Sequence, residues 1–184
     1  AMRPDYIQLH GGESPMRCLD ARHYAELGVW KALGISTAQD LEKARAYQNH
    51  VDGFVFDAKP PKHADRPGGL GQAWDYSLLR DFDPGQPWLL AGGLTIDSVA
   101  DAIAQSGAPG VDVVSGVESA PGVKCVDKIK AFITAVKAAW RLAPPPFTGF
   151  SEADLLTLSG WWTPPPCRRE RLRHDPTQRI FPTA

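Results

Sequence analysis

An aspartate closes the apolar run Gly53-Phe54-Val55-Phe56-Asp57-Ala58-Lys59. A carboxylate at the end of a buried aromatic strand loses hydration, which raises its pKa and suits it to donate a proton. Asp57 could equally cap a helix or pair with Lys59, and the sequence leaves these readings open. A second polar pair lies in Tyr6-Ile7-Gln8-Leu9-His10-Gly11-Gly12-Glu13. Strand side chains alternate, so Gln8 and His10 share a face and project together at one mouth. Glycine turns follow two later apolar runs: Gly92-Gly93 after Leu89-Leu90-Ala91, and Ser115-Gly116 after Val113-Val114. Glycine lets the backbone approach an anion, and the exposed N–H groups of a helix start can then bind it. Each turn is weak evidence alone; two in successive units point to a phosphate site. The lysine-bearing phosphate loop and the G-x-G-x-x-G dinucleotide fingerprint are both absent from the sequence.

Five short apolar runs must position these groups: Asp5–Leu9, Gly28–Leu33, Gly53–Ala58, Pro87–Ala91 and Gly110–Ser115. They are nearly continuous rather than alternating, as in parallel strands covered on both faces. Helices are expected between them. Ser14-Pro15 offers an N-cap followed by proline at the first helical position. Thr37 and Asp40 have near-capping-box spacing for a helix running to about Asn49. Thr95 can cap another helix, with Asp97 in its first turn and Gly107 at its end. A last helix carries Ile129, Phe132, Ile133, Val136 and Trp140 along one stripe. Repeated strand–helix alternation implies right-handed crossovers and a parallel sheet, either a doubly wound open sheet or part of a (β/α)8 barrel. In both, functional groups gather beyond the C-terminal ends of the strands, and a phosphate site made by the last two loops recurs in such barrels. The loop Lys59–Asp75, with Pro60-Pro61 and Gly68-Gly69-Leu70-Gly71, reads as a lid or as a flexible connector.

Beyond residue 142 the character changes. Proline triplets at 144–146 and 164–166 bracket Trp161-Trp162, and an arginine-rich stretch follows from Arg168 to Arg173. The expected organisation is an α/β unit over 1–142 and an irregular Pro/Arg-rich tail over 143–184. A net charge of −1 provides no global field to recruit nucleic acid or an anionic membrane. No apolar run approaches membrane-spanning length. Cys18, Cys125 and Cys167 form neither a metal-spaced cluster nor an evident disulfide framework, so free thiols in a reducing cytoplasm are expected.

Six segments in order resemble phosphoribosylanthranilate isomerase, the aldose–ketose isomerase of tryptophan biosynthesis. They are Gln8-Leu9-His10-Gly11, Lys31-Ala32-Leu33-Gly34, Phe56-Asp57-Ala58-Lys59, Pro67-Gly68-Gly69-Leu70-Gly71, Leu90-Ala91-Gly92-Gly93-Leu94, and Val111-Asp112-Val113 with Ser115-Gly116-Val117-Glu118. The resemblance covers about residues 3–142. It implies a (β/α)8 barrel of the phosphate-binding type and an Amadori rearrangement of N-(5′-phosphoribosyl)anthranilate to 1-(2-carboxyphenylamino)-1-deoxyribulose 5-phosphate, with no metal or organic cofactor. By position it implies Asp57 as general acid and Gly92, Gly93, Ser115 and Gly116 as backbone phosphate binders. His10 and Asp112 would line the sugar and anthranilate portion.

The sequence departs from the family at one point. Members begin with a strand ending Lys-x-Cys-Gly, whose cysteine is the general base, and that motif does not occur here. Gln8–Gly11 matches the fourth family strand, so the expectation is about five strands (family strands four to eight), an unclosed barrel, and a chain inactive by itself. Cys18 and Cys125 are expected inside helical segments, away from the base's position. Open edges at Asp5–Leu9 and Gly110–Ser115 would invite self-association. The competing reading is a non-catalytic remnant that binds phosphate or a partner. Another phosphosugar barrel, such as indole-glycerol-phosphate synthase, shares the phosphate glycines but not this motif order.

Overall fold

The computed structural model describes residues 4–59 and 73–142. Pro67–Gly71 and the whole of 143–184, including Trp161, Trp162 and Cys167, lie outside the described residues. Strands and helices alternate as β1 (Tyr6–Leu9), α1 (Pro15–Ala25), β2 (Gly28–Ile35), α2 (Ala38–Arg45), β3 (Gly53–Ala58), β4 (Trp88–Leu90) and α3 (Val99–Ser106). A short antiparallel hairpin, β5 (Glu118–Ala120) and β6 (Val123–Lys124), then leads into α4 (Val126–Leu142). The first four strands form one parallel sheet in the order β1-β2-β3-β4.

The fifth expected strand is reduced to a single parallel bridge between Leu90 and Val111. Leu90 N–H donates to the Gly110 carbonyl at 2.9 Å, and Asp112 N–H donates to the Leu90 carbonyl at 2.8 Å. Pairing stops there because Val114 turns to ψ −76° and the chain coils into a 3-10 turn over Ser115–Val117. The sheet is α/β and unclosed, as expected, with β1 at one edge and this bridge beyond β4 at the other.

Register sorts the side chains into two faces. Val29, Lys31 and Ile35 of β2 share a face with Phe54 and Phe56 of β3 and with Trp88 and Leu90 of β4. This is the helix-covered face: its residues join Cys18, Leu41, Val99, Ile103, Phe132 and Val136 in the core. The other face carries Gln8, Trp30, Ala32, Val55 and Asp57. There Tyr6 lies over Gly28 and meets Trp30 edge-on at 6.3 Å, and Trp30 covers Gly53. Both glycines are occupied by a neighbouring ring, so a side chain at either would collide with it.

The helix starts hold with adjustments. Ser14 caps α1, its Oγ accepting from Arg17 N–H at 3.3 Å. Thr37 is the N-cap of α2, yet the stabilising acceptor is Asp40, whose carboxylate takes Ser36 N–H and the hydroxyls of Ser36 and Thr37. The helix ends at Arg45, and tight turns carry the chain on to His50. α3 begins four residues after Thr95, capped by Ser98; Thr95 and Ser98 bond each other's N–H groups, and Asp101, rather than Asp97, lies in the first turn. Gly107 ends it at φ +69°, as anticipated. On α4, Phe132, Val136 and Ala139 form the buried line; Ile133 is 41% exposed because it sits on the flank of that line.

Candidate active site

β1, β2 and β3 run parallel, so their C-terminal ends deliver residues to one end of the sheet. A cleft of about 780 Å³ opens there. Gln8, His10, Asp57, Gly92, Gly93, Asp112 and Ser115 all line it. Gly116 does not. A β-carbon on Gly116 would lie 2.0 Å from the Leu94 carbonyl oxygen, so this glycine brings the two glycine turns into contact instead of facing the cleft.

Asp57 stands at the end of β3 on the cleft side of the sheet, half-buried, with Oδ1 accepting from Ala58 N–H at 2.7 Å. Gly92 abuts it directly: a β-carbon there would sit 2.7 Å from Asp57 Oδ1 and 2.6 Å from Ala58 N. Gly92 and Gly93 also adopt φ +87° and +66°, the left-handed region that disfavours other residues. The Gly92-Gly93 turn is therefore demanded by backbone shape. The ion pair that Lys59 makes is with Asp40, its Nζ lying 3.0 Å from Asp40 Oδ1.

Asp112 lines the same cleft as Asp57. Its carboxyl is held above the ordinary carboxylate range, foremost by burial and then by the negative charge of Asp57, with Lys124 opposing. Lys124 bridges the wall of the cleft, donating to the Val114 carbonyl and to Glu118 Oε1, both at 2.8 Å. The intervening Ser119–Gly122 segment of the hairpin closes that side.

Three contributors escaped the sequence reading. Trp74 donates its indole N–H to the Ala91 carbonyl at 3.0 Å, and Tyr76 donates its hydroxyl to the Gly92 carbonyl at 2.7 Å. Together they fix the glycine turn from behind. Burial, followed by the charge of Asp57, pushes the Tyr76 phenol upward, so it stays a donor at neutral pH. Lys124 is the third. No periodicity or motif marks any of them, because each acts through a contact made across the chain.

The two described cysteines, Cys18 and Cys125, are not among the residues lining the cleft. Cys18 is buried inside α1, where burial raises its thiol pKa. Cys125 is buried one residue before α4, not within a helix as expected, with its N–H bonded to the Val117 carbonyl at 2.8 Å. Among the described residues no cluster of three or more His, Cys, Asp or Glu could hold a metal ion, and no helix is long and apolar enough to cross a membrane.

A strand-end acid, two glycine turns and a half-buried second carboxyl around one cleft suit binding and proton transfer on a phosphorylated sugar. Comparison with known proteins gives the same direction. The profile of the family N-(5′-phosphoribosyl)anthranilate (PRA) isomerase matches residues 1–135. A relative bearing that name from Rhodopseudomonas palustris (strain BisA53) is 51% identical over 142 residues, covering 77% of this chain and 65% of its own length. One from Rhodospirillum rubrum is 52% identical over 136 residues, covering 74% of this chain and 62% of its own length. The chain thus spans slightly under two thirds of the curated relatives it matches. Among solved structures, phosphoribosyl anthranilate isomerase from Thermotoga maritima superposes with a TM-score of 0.61 at 38% identity, covering 73% of this chain and 62% of that one. Another phosphoribosyl anthranilate isomerase, in complex with reduced 1-(o-carboxyphenylamino)-1-deoxyribulose 5-phosphate, gives a TM-score of 0.58 at 32% identity, covering 73% of this chain and 60% of that one.

Proposed function

Since the chain belongs to the N-(5′-phosphoribosyl)anthranilate isomerase family, we propose that it supplies the acid and phosphate side of that isomerase's active site in tryptophan biosynthesis. The observation that carries the reading is the joint lining of one cleft by Asp57, Asp112, Gly92, Gly93 and Ser115. The substrate is N-(5′-phosphoribosyl)anthranilate. Its phosphate rests on the backbone N–H groups of the two glycine turns, with Gly116 holding those turns together. Asp57 protonates the furanose ring oxygen, the C1′–O bond breaks, and a Schiff base forms between C1′ and the anthranilate nitrogen. A base then removes the C2′ proton, and the resulting enolamine tautomerises to the ketone. His10 and Asp112 flank the sugar and the aryl amine.

The sequence contains no Lys-x-Cys-Gly motif, and its two described cysteines do not line the cleft. No residue of these 184 is assigned as the base, so the chain assayed by itself is expected to turn over negligibly. The buried thiol of Cys18 supports a reducing, cytoplasmic setting.

The test is to mix the purified chain with a separate polypeptide carrying the first three strand–helix units of a relative, then follow loss of phosphoribosylanthranilate fluorescence. Activity should appear only in the mixture and should fall at least about a hundredfold in Asp57→Asn, the usual scale for a general acid. Restored activity that survives Asp57→Asn would remove the acid assignment. Full activity of the chain alone would remove the missing base.

A further inference from the structure

Lys31 is 1% exposed, a charged side chain sealed between the sheet and the helices. Isolating an ammonium from water is costly unless its protons all find acceptors. Here they do, and every acceptor belongs to one short segment. Lys31 Nζ donates to the Gly11 carbonyl at 2.8 Å, to Glu13 Oε2 at 2.9 Å and to the Leu9 carbonyl at 3.4 Å. Tyr47 supports the same arrangement twice. Its ring lies 5.9 Å from the ammonium, and its hydroxyl donates to the Glu13 carbonyl at 2.9 Å.

The clamped segment is the one that carries His10 into the cleft. His10 is followed by Gly11 and Gly12, which impose little conformation of their own. Lys31 occupies the helix-covered face, pairing in register with Leu9 and Phe54, whereas the cleft opens on the side of Gln8 and Asp57. Its ammonium thus grips the turn from behind while His10 projects in front. A buried lysine that served only the core would be replaced at lower cost by an apolar side chain of similar volume.

We propose that Lys31 is a positioning residue: through Leu9, Gly11 and Glu13 it fixes the turn that presents His10 to the sugar and aryl-amine part of the ligand. The inference rests on the functional reading above. It divides the site into two separately supported halves, since the phosphate half is held by Trp74 and Tyr76 instead.

The division gives the test. The full chain is titrated with reduced 1-(o-carboxyphenylamino)-1-deoxyribulose 5-phosphate and, separately, with inorganic phosphate. Lys31→Met should raise the Kd for the reduced product analogue about tenfold, the scale of a small misplacement of a contact group, and leave the phosphate Kd in place. Tyr47→Phe keeps the ring but loses the hydroxyl, so it should shift the same Kd by less. On a His10→Ala background, Lys31→Met should add nothing, because its effect passes through that residue. Equal loss of both ligands would mean that Lys31 merely holds the fold, and unchanged binding of both would remove any role; either result overturns the proposal with the functional reading intact. If the unsubstituted chain binds neither ligand, that reading fails and takes this one with it. Should Lys31→Met not fold, Tyr47→Phe and Glu13→Gln decide the matter by the same split between ligands.

Discussion

Asp57 and Asp112 line one cleft. Asp112 is held above the ordinary 3.8, by burial first and by Asp57's charge second. A carboxyl whose folded pKa exceeds its unfolded value contributes stability only at low pH, and that contribution is lost as pH rises through the folded pKa. At neutral pH the Asp112 charge therefore works against folding. Asp112→Asn should raise the thermal midpoint at pH 7, and the gain should shrink to nothing in acid, where both side chains are neutral. Thermal melts at the two pH values check this; a loss of stability at pH 7 would show that Asp112 makes compensating bonds. The converse experiment follows the Asp112 carboxyl carbon by NMR in Asp57→Asn. Its midpoint should move down once the neighbouring charge is gone, and an unmoved midpoint would mean that the charge of Asp57 does not act on Asp112.

Between elements, the tightest knot joins the end of β2, the start of α2 and the end of β3. Asp40, 3% exposed, accepts from Ser36 and Thr37 and pairs with Lys43 at 2.6 Å and Lys59 at 3.0 Å. Burial opposes its charge, but the lysines and Ser36 prevail and hold the carboxyl far below its usual range. A depressed carboxylate stabilises above its unfolded pKa and loses that contribution as pH falls toward the folded value. Asp40→Ala should cost about 2 kcal/mol at pH 7, the scale of bonds to a charged group, and progressively less below pH 4. Urea unfolding against pH measures it. Sequence spacing had identified Thr37 and Asp40 as a capping pair, yet it could not show Lys59 arriving from another strand. The same limit explains the rest. Ser14-Pro15, Gly107, the first four strands and the cleft-lining Asp57, Gly92 and Gly93 were legible because each follows from local spacing or the strand-end rule. The early stop of the fifth strand, the hairpin after Val117, and Trp74, Tyr76, Lys124 and Lys31 depend on distant partners, so only coordinates reveal them.

At the scale of the molecule, the two edges of the sheet differ in how they are managed. Beyond β4, the chain adds one bridge through Val111, then folds a hairpin and α4 across that end, where Trp140 donates to the Ala108 carbonyl at 3.1 Å. β1 pairs only with β2 among the described residues. Apolar groups are exposed beside it: Tyr6 at 59% on the strand, and Met16 at 61% and Tyr24 at 85% on α1. An edge with free backbone donors and acceptors and apolar flanks is a template for another strand, and lysine placed on such an edge is a common way of blocking it. Self-association of this chain is therefore expected to run through β1. Sedimentation velocity over rising concentration should show the average mass increasing, and Gln8→Lys, which adds a charge to the middle of the edge without touching the core, should return the chain toward monomer. The polypeptide used for complementation should compete for the same edge, so adding it to the unsubstituted chain should dissolve the self-associated species as activity appears. If the chain is monomeric at every concentration, or if Gln8→Lys leaves the oligomers unchanged, the contact lies elsewhere and the β1 edge is protected in solution.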